Sequence, residues 1–204
     1  MQNKKIEEAL SVILRMDQPG EDTMSLNDTG EVKLSVWTIG HSTRTIDEFL
    51  LLLTSNSIEV VADIRRFPGS RKYPHFNQGN LSRSLADTGV EYVEFPELGG
   101  RRRPRPDSPN IVWRNESFRG YADHMATEEF HHGVERLLTL AAARRTAIMC
   151  SEAVWWRCHR ALVADHLKST GVTVYHILSV TKTEEHRYTS AARIADGKLT
   201  YRAN

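Results

Sequence analysis

Thr146-Ala147-Ile148-Met149-Cys150, then Arg157 to Lys168, then Thr173-Val174-Tyr175-His176-Ile177-Leu178, are the pieces whose reading decides the fold. The outer two are apolar runs of strand length, and the middle one reads as a helix that stops before Gly171. A strand, a helix and a second strand in that order make a parallel pair joined by a helical crossover. The first strand delivers a thiol and, two residues on, the carboxylate of Glu152. In α/β proteins, ligands bind at the carboxyl ends of strands beside helix starts.

Upstream the alternation continues. Lys33 to Ile39 is a strand, Gly40-His41-Ser42-Thr43 a turn, and Ile46 to Leu53 a helix opened by Thr45 with Asp47 and Glu48 in its first turn. Glu59 to Ile64 is a second strand, 65–80 an irregular segment, Leu81 to Thr88 a short helix ended by Gly89, and Glu91 to Phe95 a third strand. Leu98 to Ile111 is too rich in Gly, Pro and Arg for regular structure, and helical patterns cover Phe118 to Met125 and Glu128 to Ala143. The fold expected is a three-layer α/β architecture, Rossmann-like, with a mainly parallel sheet of about five strands and helices on both faces. Residues 32–180 form this domain. Before it, 1–31 reads as a helix over Lys4 to Met16 and a polar linker over Gln18 to Glu31; after it, 181–204 reads as a weakly patterned extension.

Hydrophobic residues make up 40% of the chain and charged residues 26%, with a formal net charge of +1, as in ordinary soluble domains. No apolar run approaches the roughly 20 residues that span a bilayer, so no membrane partner is expected. Two cysteines make no disulfide framework, which points to a cytoplasmic location. Between Ile64 and Arg105, nine Lys/Arg face four acids, interleaved with Phe67, Tyr73, Phe76 and Phe95. That mixture suits phosphate contact with base stacking, or simply a solvated basic face.

In a parallel sheet, all carboxyl ends lie on one edge. His41, Ser42 and Thr43 come from the first strand, Asp63 and Arg65 from the second, Cys150 and Glu152 from the fourth. Ser42 and Thr43 at a helix start suggest a phosphate cradle, or merely a capped turn, with neither a P-loop nor a dinucleotide fingerprint present. Asp63 is either a general base or half of a structural ion pair with Arg65, Arg66 or Arg160. Cys150 reads in three ways: a nucleophile served by His159 or His41, a metal ligand with Cys158 and His159, or a buried apolar thiol. Cys-x7-Cys-His lacks a standard zinc spacing and names no fourth ligand. His159-Arg160 suits an anion grip, and one of Trp155 and Trp156 is expected to pack while the other lines a pocket. His176 reads as a satisfied core histidine.

Thr38-Ile39-Gly40-His41-Ser42, Asp63-Ile64-Arg65 with Pro68, Ser70 and Arg71, Pro96-Glu97-Leu98-Gly99-Gly100, Cys150-Ser151-Glu152 and Cys158-His159-Arg160 together resemble a bacterial family catalogued as the domain of unknown function numbered 488. The resemblance covers roughly Val36 to Ser179 and implies no activity, because the family is named for lacking one. Val154-Trp155-Trp156-Arg157 is bulkier than the resemblance implies.

The function expected from these residues is hydrolysis of an N-glycosidic bond of a modified or damaged base, in nucleic acid or a nucleotide. Asp63, Glu152, Cys150 and His41 are the expected catalytic residues. Ser42, Thr43, Arg65, Arg71, Tyr73, Phe76, Arg102, Trp155, His159 and Arg160 are expected to bind substrate. No metal or cofactor is called for. The alternatives are a thiol enzyme built on Cys150 and a non-catalytic nucleic-acid or nucleotide binding module.

Overall fold

The computed structural model describes residues 24–26 and 32–203. The helix read over 4–16 and most of the linker lie outside the described residues. Within the linker stretch, however, β1 (Met24–Leu26) pairs antiparallel with β2 (Val32–Gly40), Met24 opposite Leu34. The polar composition there gave no sign of this pairing.

The chain continues through α1 (Ile46–Ser55), β3 (Val60–Asp63), α2 (Gln78–Ala86), β4 (Glu91–Glu94), α3 (Glu116–His124), α4 (Glu128–Ala143), β5 (Thr146–Cys150), α5 (Arg160–Ser169), β6 (Thr173–Ser179) and β7 (Lys182–Glu185). A hairpin of β8 (Arg193–Ala195) and β9 (Lys198–Thr200) follows. The sheet order is β4-β3-β5-β2-β6-β7, parallel except at the β6–β7 edge. All five expected strands are present, but the edge strands β1 and β7 raise the sheet to seven. The order of the five parallel strands (third, second, fourth, first, fifth) is not that of two dinucleotide-binding halves. The molecule is therefore a mixed α/β protein whose topology departs from the Rossmann order.

Strands covered on both faces must be apolar throughout. β3 and β5 are buried at every position. Alternate residues serve two cores: Val36, Ala62, Ile148 and Val174 pack with Tyr121, Phe130, Leu137 and Leu162 of α3, α4 and α5. Trp37, Val61, Ala147 and Met149 pack with Phe49, Leu53, Leu81 and Leu85 of α1 and α2. α5 begins at Arg160, later than expected, because Trp155–Arg157 forms a separate 3-10 turn before it.

The tail, expected to lie beyond the domain, carries buried residues of its own. Tyr201 joins the α3–α5 core, and His186 is 1% exposed. Its anchor is Asp165 on α5, fully buried, which accepts hydrogen bonds from His186 Nε2 (2.9 Å), Thr189 N (2.9 Å), Thr189 Oγ1 (2.6 Å) and Tyr201 Oη (2.9 Å). From His186 the chain of bonds runs inward. His186 Nδ1 accepts from His176 Nε2 at 2.9 Å, His176 Nδ1 accepts from Thr38 Oγ1 at 2.8 Å, and Thr38 Oγ1 accepts from Arg160 Nη1 at 3.3 Å. Every member donates toward the carboxylate, so the buried Arg160 cation and the Asp165 anion are joined by a polarised relay. His176 is thus the satisfied core histidine that its place on a strand suggested.

Asp165→Ala strands several buried donors at once, each worth about 1–3 kcal/mol. It is expected to lower the guanidinium unfolding free energy by about 3 kcal/mol or more. Glu185→Ala, which removes an ion pair whose carboxylate side is 54% exposed, is expected to change it by under about 1 kcal/mol. Equal losses for the two variants would contradict the relay.

Candidate functional site

Gly40 ends β2 opposite Cys150, which ends β5, and Asp63 ends β3 opposite Met149. The β2–β5 pairing continues past the strands through His41 N to Cys150 O (3.0 Å) and Ser42 N to Ser151 O (2.8 Å). Ser42 takes a left-handed φ of 51° to allow it. Gly40 is required here for close approach rather than for turning: a Cβ would lie 1.8 Å from the Glu152 carbonyl oxygen and 2.7 Å from Arg160 Nη2. Above this edge opens a cleft of about 620 Å³, lined by His41, Ser42, Thr43, Cys150, Ser151 and Glu152 from the strand ends and by Cys158 and His159 from the start of α5. Arg65, Arg66, Phe67, Tyr73, Gly100, Arg101, Phe118 and Arg157 also line it.

Asp63 is not in that cleft. It is 2% exposed, and its oxygens accept from Arg65 Nη2 (2.6 Å), Arg65 Nε (2.9 Å), the Arg65 amide (2.9 Å) and Tyr92 Oη (2.6 Å). Arg65 also donates to the Phe76 carbonyl at 2.8 Å, pinning the 65–80 segment. The general-base reading of Asp63 is therefore replaced by the ion pair, since every accepting position is taken. Arg65 lines the cleft but is held by the same bonds.

Other expected roles change in the same way. Ser42 and Thr43 line the cleft, but the α1 N-terminus beside them is partly closed by its own capping box: Thr45 N donates to Glu48 Oε2 at 2.8 Å and Glu48 N to Thr45 Oγ1 at 3.2 Å. Phe76 is fully buried beneath His41, ring centroids 4.2 Å apart, and has no face left for a base. Trp155 stacks on His176 at 4.3 Å and lies outside the cleft lining, while Trp156 is 53% exposed. Arg71 is exposed outside the lining, and Arg102 is paired with Glu129 at 3.0 Å. Arg160, 1% exposed, grips no anion: its guanidinium holds Thr38 and the carbonyls of Glu152 and Ala153.

His41 lines the cleft as a neutral ring. Its Nδ1 donates to the Ser42 carbonyl at 3.0 Å, and burial, followed by the Arg65 charge, lowers its pKa to about 4. Glu152 is the carboxylate that remains. It is exposed to the cleft, and its side chain has no hydrogen-bond or ion-pair partner among the described residues.

Cys150, Cys158 and His159 form a cluster. His159 Nδ1 lies 3.8 Å from Cys150 Sγ and 3.6 Å from Cys158 Sγ. Its Nε2 donates to the Ile64 carbonyl at 3.0 Å, which leaves the Nδ1 lone pair of the neutral ring facing both sulfurs. A Cβ on Gly100 would sit 2.6 Å from Nδ1, so this approach also needs glycine. The hydrogen bond with Cys158, then burial, push the Cys150 thiol up to about 12. Burial opposes ionisation of Cys158 as well, but the Cys150 hydrogen bond and the Arg160 charge and amide bring it down to about 6. One thiol of this buried pair is thus held protonated while the other ionises more readily.

Reading the sequence missed Phe118 and Arg157 as cleft residues, and placed Arg66, Phe67 and Arg101 only in a basic, aromatic stretch without bringing them to the strand edge. Phe67, at 62% exposure, is a large apolar side chain left in solvent. Arg101, with a left-handed φ of 57°, is turned in by a loop that Asp123 holds through Arg105 N (2.8 Å), Ser108 Oγ (2.6 Å) and Asn110 Nδ2 (2.8 Å).

Fold and site together define an α/β protein with a polar, arginine-rimmed cleft at the carboxyl edge of a mostly parallel sheet, the position of ligand sites in that class. The chain belongs to the family described as domain of unknown function DUF488, whose model matches residues 45–167. No curated protein and no solved structure matches it. No helix among the described residues is long and apolar enough to cross a membrane.

The relay behind the cleft has a pH signature. Burial, then electrostatic coupling to the neighbouring His186 and Arg160, lowers the His176 pKa from 6.5 to about 2. Below pH 6.5 the unfolded chain takes up a proton that the folded chain refuses, so stability falls as pH falls toward 2. The slope approaches about 1.4 kcal/mol per pH unit for this one group. Chemical denaturation at pH 7 and pH 5 is expected to show that loss, and a His176→Gln variant a shallower one. Identical slopes would contradict a neutral buried imidazole.

Proposed function

We propose that the protein is a hydrolase that cleaves a carbon–nitrogen bond, in the first instance an N-glycosidic bond, in a nucleotide or nucleic acid. The observation that carries this reading is Glu152, the one carboxylate among the cleft-lining residues, with a side chain that no partner among the described residues consumes. A free carboxylate in a cleft is suited to take a proton from water. As a base leaves its sugar, positive charge grows on the sugar ring, and the same carboxylate stabilises it.

The surroundings suit a phosphate-bearing substrate with planar rings. Arg66, Arg101 and Arg157 rim the cleft as phosphate donors. Phe67, Tyr73 and Phe118 offer ring faces on which a base can stack. A second hollow of about 560 Å³ shares Arg66, Phe67 and Arg101 and adds Arg102, Arg103 and Arg105. Two adjoining basic hollows favour a strand over a single nucleotide, because the second can hold flanking phosphates. Buried thiols that must stay reduced suit a cytoplasmic location.

The test is release of free base from intact and base-modified DNA, RNA and nucleotides. Glu152→Gln is expected to lower release by about 10²- to 10⁴-fold with an unchanged melting temperature. Arg101→Ala and Arg157→Ala are each expected to weaken binding and flatten its salt dependence by about one unit of slope. Salt-sensitive binding without turnover on any substrate would instead make the protein a binding module, and release indifferent to Glu152→Gln would sink the assignment of the base.

A further inference from the structure

We propose that Cys150, Cys158 and His159 bind one zinc-class divalent ion, with the remaining coordination position opening on the cleft that Glu152 lines. The ligand atoms of the three residues lie within 4.8 Å of one another. With zinc–sulfur bonds near 2.3 Å and zinc–nitrogen bonds near 2.05 Å, a tetrahedral site has sulfur–nitrogen edges of about 3.6 Å. The two edges here are 3.8 and 3.6 Å. All three residues line the cleft, so an ion among them has protein on one side and substrate space on the other. Three protein ligands and an open position are the composition of a catalytic zinc site rather than a structural one.

The surroundings are those a metal site needs. A ligating histidine donates its other ring N–H to a carbonyl or carboxylate, as His159 Nε2 does to Ile64 O at 3.0 Å. The amide of Arg160 donates to Cys158 Sγ at 3.5 Å, the usual support for a charged sulfur ligand. One nitrogen lone pair faces two thiols, with Ser151 Oγ 3.9 Å from Cys150 Sγ, and a divalent ion would displace both thiol protons and take up all three donor atoms. The ligands are Cys150, at the end of a fully buried strand, and Cys158-His159, just before and at the N-cap of α5, so the geometry is held by regular elements. The absence of a familiar cysteine spacing follows from this: the ligands meet across a strand end and a helix start, not within one loop.

The order of residues adds a role. Cys150 is followed two positions later by Glu152, which is outside the ligand cluster but in the same cleft. A ligand, a glutamate two residues on and two later ligands is the order by which zinc deaminases activate water against a carbon–nitrogen bond of a base. Use of the ion in this way rests on the hydrolase reading above; binding of the ion does not. Water on the ion would give its proton to Glu152, hydroxide would add to the carbon, and Glu152 would return the proton to the departing nitrogen, so that one water is consumed per bond broken.

The test uses the full chain, purified reduced and metal-free, then given Co²⁺ or Zn²⁺ and freed of excess by gel filtration. Elemental analysis is expected to find one ion per chain. Co²⁺ is expected to give thiolate charge-transfer absorption and the intense visible bands of a four-coordinate site. Both signals should vanish in Cys150→Ser, Cys158→Ser and His159→Ala and persist in Glu152→Gln. Should the ligand variants misfold, wild type decides: Zn²⁺ is expected to protect both thiols from alkylation, and a chelator to restore it. No retained ion in a folded chain, thiols that alkylate equally with and without Zn²⁺, or cobalt bands that survive the cysteine changes would each overturn the site. One bound ion without hydrolysis would support the site and count against the hydrolase, while base release from a metal-free chain would overturn the catalytic use of the ion and leave Glu152 as the base.

Discussion

A guanidinium without access to water is the constraint on which this structure turns. Arg160 is 1% exposed, at the start of a helix and under the ends of two strands. An uncompensated charge there is prohibitively unfavourable, so the protein gives acceptors to its two terminal nitrogens, while Nε has none. On one side it binds the carbonyls of Glu152 and Ala153 and fixes the loop that leaves β5. On the other, the Thr38–His176–His186 relay leads to Asp165 and its four donors. The tail after Ser179 is drawn into the core because one link of that relay, His186, and two further residues that donate to Asp165, Thr189 and Tyr201, belong to it. One end of the network shapes the cleft and the other holds the C-terminal segment.

The two strand-end carboxylates meet opposite fates. Asp63 is followed closely by Arg65, whose fork reaches back over it and saturates it. Glu152 has its carbonyl taken by Arg160, a main-chain contact that leaves its side chain to the cleft. Glu152 is for that reason the carboxylate left facing the cleft and its arginines. Were Asp63 also free, like charges on adjacent strands would push one of them toward the neutral form.

The parallel strands and their helices were legible because both-face burial demands unbroken apolar runs, and Val60-Val61-Ala62 and Ala147-Ile148-Met149 are such runs, of strand length and bounded by polar residues. The edge strands were not: Lys182–Glu185 is exposed on most positions and pairs through its backbone alone with β6. At the site, Glu152, Cys150 and His41 were found because strand ends converge whatever the strand order. What stayed hidden is side-chain reach. Arg160 contacts Thr38 from 122 positions away and His159 contacts Ile64 from 95. Nothing in a linear pattern distinguishes an arginine that grips a ligand from one that holds its own chain. Gly40 and Gly100 carried the signal, but a glycine reads as a turn until the neighbour crowding it is known.

The organisation of the site by a buried, polarised chain of hydrogen bonds is tested most directly at its middle link. Long-range proton–nitrogen NMR correlations of the His176 ring report which nitrogen carries hydrogen and whether the ring is charged. A neutral ring protonated at Nε2, unchanged at mildly acidic pH, is the predicted result. A charged ring, or hydrogen on Nδ1, would contradict the direction of every bond between Arg160 and Asp165.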